Sequence, residues 1–273
     1  GNWFPPPHPE CCFMAALDAA TLKCLAARFF TAETAEGYLW LLKKIVSAHG
    51  IPEALCQQTQ KAVQKQGRRW TLHEQLRGAL DPSHPERAMA LLGITQCLVK
   101  KRHAWNAIRN LQLLLQDEVP AACLTCIPEG NVFLEHQFIY DYNLRFAFSD
   151  QGLKKVWRAI PAGMSLDRIC SFCYDAAVDA RNRVRVQDVE IKIPAGPDRI
   201  SYAMAHVEVR RFLNGTWHVY FNDREIAAHA PSYRDIVHEL VNQHWRFKMD
   251  PQKMYWLQKI YANLGNLDEH HRT

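Results

Sequence analysis

Two short apolar runs, Cys12 to Leu17 and Leu22 to Phe30, flank the turn-forming segment Asp18 to Thr21 near the start of the chain. Such runs on either side of a turn predict a β-hairpin. The period then changes. Ala35, Tyr38, Leu39, Leu42, Ile45 and Val46 recur at helical spacing over roughly 33 to 48, with Thr31 or Thr34 as N-cap and His49-Gly50 as the stop. A third strand is predicted at Glu53 to Cys56. The order strand, strand, helix, strand favours a mixed sheet with covered faces, because a helix crosses between strands.

Residues 57 to 82 are polar and basic and predict no single element. Pro85 to Leu92 reads as a helix stopped by Gly93, and Ile94 to Val99 as a strand. Ala104 to Leu115 reads as a helix with Trp105, Ile108, Leu111, Leu114 and Leu115 on one stripe, and Asn131 to Phe146 as an aromatic-rich helix. Composition shifts at 149 to 164, which is assigned as a linker between a first domain, 1 to 148, and a second, 165 to 230. The second domain has strand-like runs at Ile169 to Val178, Val184 to Ile193, His206 to Leu213 and Thr216 to Phe221, with Asn214-Gly215 as a two-residue hairpin turn. That pattern predicts a small all-β barrel or sandwich. Residues 231 to 273 are predicted to form a helical tail, whose Trp245, Tyr255, Trp256 and Tyr261 would suit docking on a core.

With 48% hydrophobic and 11% aromatic residues over 273 positions, the chain has the material for packed cores. A net charge of +5 permits an anionic partner such as DNA without requiring one. No run approaches the ~18 apolar residues of a membrane span. The start of the chain also lacks the basic-then-apolar order of a signal peptide. A cytoplasmic, nucleoid-associated location is expected, or a nuclear one in a eukaryote. Nine cysteines, an odd number spread through the chain, argue against a secreted disulfide framework and for buried thiols. Cys123/Cys126 and Cys170/Cys173 have the spacing of a zinc site. Neither pair has a Gly-containing knuckle, and Cys170 and Cys173, three apart in a predicted strand, would face opposite ways.

Leu17-Asp-Ala-Ala-Thr21, followed by Ala27-Arg-Phe-Phe-Thr-Ala-Glu-Thr-Ala-Glu-Gly-Tyr38, closely resembles the insertion-sequence transposases of the ISNCY and Mu type, within the integrase-core superfamily. Their pattern there runs I-D-D-A-T-G, then A-R-F, then A-E-T-A-E-G-Y-F. The resemblance continues through His49 to Pro52, Ala54-Leu55, Arg87 to Ile94, Leu115-Gln-Asp117, Asn131 to Leu134, Asp141 to Ala147 and Leu166 to Ile169. Val207 to Gly215 and Asn222 to Glu225 resemble the barrel that follows the core in these enzymes. What this implies is an α/β RNase H-like core, a mixed sheet with flanking helices, followed by a small all-β barrel. The helical C-terminal tail lies outside the resemblance.

The same resemblance implies a metal-dependent phosphoryl transfer that nicks DNA and joins its 3′ ends to a target. That chemistry needs three carboxylates converging on two Mg²⁺ ions about 4 Å apart. Here the sequence departs from the family. The first acid would precede Trp3-Phe4, and the second would follow Ala54-Leu55, where this chain has Cys56-Gln57-Gln58. Arg109 stands where the third would be. Gln58 offers only a neutral carbonyl oxygen, and Arg109 brings a fixed positive charge. No metal or other cofactor is therefore expected, with Mg²⁺ retained only if the acids lie elsewhere. Asp18, Glu33 and Asp117 are the nearby candidates, and Asp18 is assigned to the turn. The histidines form no His-x-x-x-His pair and no triad with Cys or Ser.

Phosphate contacts need only positioned cations. Lys61, Lys65, Arg68, Arg69, Lys100, Lys101, Arg102 and Arg109 are the candidates in the first domain. In the second, Arg181, Arg183 and Arg185 alternate and so share a strand face, with Arg210 and Arg211 nearby. Asp188, Glu190 and Glu208 dilute that field. The reading is a transposase-derived, catalytically inactive protein that binds double-stranded DNA. One alternative is a structural module of a nucleoprotein assembly, forming a homo-oligomer or docking a protein through its tail. The other is an active or fragmentary transposase.

Overall fold

Phe13 opposes Phe29 and Ala15 opposes Ala27 in an antiparallel hairpin of β1 (Cys12–Leu17) and β2 (Cys24–Phe30). The computed structural model in which it is seen describes residues 2–6, 10–57, 75–76, 78, 80–98, 102–149, 157–196 and 201–230. The predicted helical tail, 231 to 273, lies outside the described residues. At the turn, Asp18 Oδ1 accepts the amides of Ala20 at 2.8 Å and Thr21 at 3.4 Å, a side-chain mimic of a turn carbonyl.

Alternation along the hairpin gives it two apolar faces. Phe13, Ala27 and Phe29 face Leu111 and Leu115 of α3 (Arg102–Ala121) and a helical segment. That segment runs α4 (Ile127–Phe133), a π-helical turn (Leu134–Phe138) and α5 (Ile139–Phe146). Met14 and Ala26 face Leu41 and Ile45 of α1 (Ala35–His49) instead. The hairpin is thus a layer between helices, because each of its faces must be covered.

The same α1 turns Leu39, Leu42 and Val46 toward a third cluster with Ile51, Met89, Leu92 and Ile94. Met89 belongs to α2 (His84–Leu91), which opens on a capping box: Ser83 Oγ accepts the Glu86 amide, and a Glu86 carboxylate oxygen accepts the Ser83 amide. β4 (Ala54–Gln57) and β5 (Thr95–Leu98) pair in parallel, and β3 (Ile51–Pro52) pairs with β6 (Trp157–Arg158). Among the described residues, the mixed sheet expected from the element order is therefore spread over three separate two-stranded ladders, parallel at β4–β5. Cys170 and Leu213, beyond the segment assigned as a linker, share the third cluster with Leu42 and Met89.

The later strands are β7 (Phe172–Ala177), β8 (Arg183–Val186), β9 (Val189–Lys192), β10 (His206–Arg211), β11 (Trp217–Phe221) and β12 (Arg224–His229). Four of them form one antiparallel sheet in the order β12-β11-β10-β7, and β8–β9 is a separate hairpin. Val184, Ile191, Val207, Val209, Trp217 and Val219 bury a common core between the two. β8 touches β7 and β9 touches β12, so the hairpin spans both edges of the sheet.

Several boundaries differ from the sequence reading. The run from Ile169 starts in a helical turn, α6 (Leu166–Ile169), because the Ser165 hydroxyl caps the Arg168 amide. The run Val184 to Ile193 breaks into two strands at Gln187, which takes φ 53°. Asn222 and Asp223, both at positive φ, turn the chain into β12, which had not been predicted. The Asn214-Gly215 loop holds three residues rather than two: Phe212 N–H reaches Thr216 O, and Gly215 adopts the left-handed φ 84° that closes it.

Candidate nucleic-acid interface

Side chains from the helices hold two strand edges. Asn131 and Asn143 each lay a side-chain amide along β2: Asn131 accepts the Phe29 amide at 2.7 Å and donates to its carbonyl at 3.2 Å. Asn143 does the same for Cys24. At the free edge of β7, His84 Nδ1 accepts the Cys173 amide at 3.2 Å, and Arg87 one turn later donates to Ser171 O at 2.6 Å. Side chains of α2 so occupy hydrogen-bonding positions that an exposed edge would offer to another strand. Burial, with Arg210 nearby, pushes the Arg87 guanidinium down to about 10.

The β8–β9 hairpin carries the alternating arginines. Val184 and Val186 point into the core, and Arg183 and Arg185 point outward together, as strand parity requires. Glu190 bridges them, accepting from Arg183 at 2.8 Å and from Arg185 at 2.7 Å. The Arg185 hydrogen bond, against desolvation and helped by Arg183, holds the Glu190 carboxyl below its ordinary value. Desolvation would raise Asp179, but the amides of Arg183 and Arg181 and the Arg183 guanidinium bring it down. Arg181 is exposed in the turn before β8, and Arg185 keeps 71% of its side chain in solvent. Lys192 lies opposite Arg183 across the ladder and is exposed.

Arg210 does not belong to this surface. It is 5% exposed, donates through Nε to Glu208 at 2.7 Å and through a terminal nitrogen to Arg168 O at 2.7 Å. Desolvation would raise Glu208, yet Arg210 and Arg168 hold it below its ordinary value. Arg211, its neighbour in β10, points to the opposite face, 4.3 Å over the Phe172 ring and 3.7 Å from Glu36. Adjacent strand residues cannot share a face, so Arg210 and Arg211 do not form one cluster. Arg168 stacks 4.3 Å over Tyr220 while bonding Glu208 and Asp223.

Of the first-domain cations, Arg109 is exposed on α3, whose buried stripe is Ala107, Leu111, Leu115 and Val119. Lys61, Lys65, Arg68, Arg69, Lys100 and Lys101 lie outside the described residues, as do Gln58 and the Arg102 side chain. The three candidate acids are dispersed in role: Asp18 serves its turn, Glu33 accepts from Tyr38 at 2.6 Å, and Asp117 is exposed on α3. Among the described residues no group of three or more His, Cys, Asp or Glu side chains is placed to hold an ion. No described helix is long and apolar enough to cross a membrane.

Sequence reasoning missed one covalent link, a disulfide between Cys56 of β4 and Cys97 of β5. The two sit in sequence contexts with no mutual spacing signal, 41 residues apart. Of the CxxC pairs, Cys170 is buried with its thiol pushed up to about 12, while Cys123 is exposed. No protein-family model and no curated protein matches the chain.

Proposed function

We propose that the chain is a transposase-derived DNA-binding or regulatory protein that does not itself join DNA strands. The observation that carries the reading is the run of transposase-like motifs, whose residues recur at structural positions: Asp18 in its turn, Asn131 and Asn143 of α4 and α5 bonded to β2, Ser165-capped Leu166 to Ile169. Support also comes from the layering of a hairpin between α1 and α3 to α5, and from the parallel pair β4–β5, features an RNase H-like core would have. The β8–β9 hairpin spanning a four-stranded sheet suits the small barrel expected after such a core. The inactive reading rests on Gln58 and Arg109 at the family's acid positions. On this reading double-stranded DNA is bound by Arg109, Arg181, Arg183, Arg185 and Arg211, with Lys61, Lys65, Arg68, Arg69, Lys100, Lys101 and Arg102, in the cytoplasm or a nucleus.

The test is duplex binding titrated with salt, paired with a strand-transfer assay in Mg²⁺ and Mn²⁺. Affinity should fall by roughly a hundredfold or more between 50 and 200 mM salt if several phosphates are neutralised. Joined DNA ends would overturn the inactive reading, and salt-independent or absent binding would overturn the DNA reading.

A second reading, an assembly module, has its own observation. Val132, Tyr140 and Leu144 along the helices that cover β2, and Phe148 just past their end, are 59 to 69% exposed. Large exposed apolar side chains grouped on one stretch of surface mark contact sites more often than scattered ones do. Self-association measured by sedimentation, lost on Tyr140→Ser with Leu144→Ser, would favour it.

A further inference from the structure

β4 and β5 are hydrogen-bonded to each other and to no third described strand. Each is four residues long, and an isolated two-stranded pair is marginal in water. Cys56 and Cys97 stand directly opposite each other in its register, their Cα atoms 4.5 Å apart and their sulfurs bonded. Cys56 is exposed and Cys97 half-buried, so a small thiol can reach the bond. The free cysteines are mostly of another kind. Burial pushes Cys24 and Cys170 up to about 12 and Cys11 up to about 11, and raises Cys12 and Cys126. Enclosed, protonated thiols exchange slowly.

We propose that Cys56–Cys97 is a reversible redox site that exchanges with small thiols of the glutathione class and sets whether β4 and β5 stay paired. In the reducing direction a small-thiol thiolate attacks one cysteine sulfur. The Cys56–Cys97 bond breaks, and the released cysteine leaves as a thiolate that takes a proton. A second small thiol attacks the mixed disulfide, frees the other cysteine and leaves as the small-molecule disulfide. Two electrons and two protons have then passed to the protein. Oxidation is the reverse, with the small-molecule disulfide as oxidant. The bridge ties the ends of the segment that contains Lys61, Lys65, Arg68 and Arg69, and the proposal stands whether or not that segment meets DNA.

The full chain, equilibrated in buffers of varied glutathione to glutathione-disulfide ratio, acid-quenched and alkylated without prior reduction, reports the bond by mass. Nine cysteines less the two bridged should leave seven alkylated at the oxidising end, and all nine at the reducing end, with the change reversible and mapping to Cys56 and Cys97. Amide exchange over 54–57 and 95–98 should quicken about tenfold or more on reduction, while β1–β2 is unchanged. Cys56→Ser should show the fast exchange at every ratio. Nine alkylated cysteines at all ratios, a bridge mapping elsewhere, a bond that opens only in denaturant, or exchange indifferent to reduction would each overturn the proposal.

Discussion

Asn143 supplies to Cys24, 119 residues earlier, both hydrogen bonds that a neighbouring strand would otherwise provide, accepting at 2.7 Å and donating at 3.0 Å. Asn131 does so for Phe29, so the outer edge of β2 is paired by helices rather than by sheet. Asn143→Ala leaves a half-buried amide and carbonyl without partners, and should destabilise the chain by about 2–4 kcal/mol. Asn143→Asp keeps the acceptor and loses the donor, so about half that loss is expected. Cys24 and Phe29 lie roughly 16 Å apart along the strand, so the Asn131→Ala and Asn143→Ala effects should add. Urea unfolding followed by tryptophan fluorescence measures all three, and unchanged midpoints would remove the clamp from the account.

What the sequence made legible was local. The hairpin at Cys12–Leu17 and Cys24–Phe30 and the helix α1 follow from runs and periods within one element. β12 had a usable signal, since Asn222-Asp223 is a pair that tolerates left-handed backbone. Gln187 gave none, because nothing in its side chain announces a positive φ. The Asn clamps and the Cys56–Cys97 bridge join residues 102, 119 and 41 positions apart, where no periodicity speaks. The burial of Arg210 had no such signal: parity with Val207 and Val209 puts it on the face away from their core, and it is the Arg168 and Ser171 segment, 42 and 39 residues earlier, that covers it.

Alkaline conditions should weaken the fold below the usual denaturing range. Cys11, Cys24 and Cys170 keep their protons in the folded state up to about 11, 12 and 12, against 9.0 when unfolded. A raised folded value means stability fully present below pH 9 and lost progressively as pH climbs toward 11–12. Each thiol should account for about 1 kcal/mol of loss by pH 10. Unfolding under reducing conditions at pH 8, 9 and 10 would show the slope, and Cys24→Ala with Cys170→Ala should flatten it.

The carboxylate of Glu190 neutralises the two arginines that point outward from β8, so it opposes any phosphate contact they make. If the DNA reading holds, Glu190→Gln should tighten duplex binding about threefold or more, and Arg185→Ala should weaken it and lower the salt slope by about one. Arg210→Ala belongs to a different class: it takes from Glu208 one of its two guanidinium partners, leaving Arg168, and removes a buried bond to Arg168 O, and should cost about 1–3 kcal/mol of stability. Binding isotherms at several salt concentrations, set beside melting curves, separate the two effects. Equal binding losses at Arg185 and Arg210 in fully folded variants would contradict this division.

Two helical glycines approach β1–β2 from opposite sides and should respond differently to one added methyl. A Cβ on Gly130 would lie 2.6 Å from Phe4 Cζ and 3.0 Å from Phe29 Cδ2, atoms of rings that are themselves 5.0 Å apart and buried. Rigid rings cannot yield without shifting the core, so Gly130→Ala should destabilise by about 1–3 kcal/mol. At Gly37 the added Cβ meets Met14 Sδ at 2.5 Å, the end of an unbranched and flexible side chain. There the gain in helix propensity, about 1 kcal/mol, opposes the cost of moving the thioether. Gly37→Ala should therefore change stability by less than about 1 kcal/mol. Combining it with Met14→Ala, which removes the obstructing sulfur, should recover the helix gain over Met14→Ala alone. Thermal melts of the four variants decide the matter, and a Gly130→Ala protein as stable as the parent would show that the helix α4 does not press on those rings.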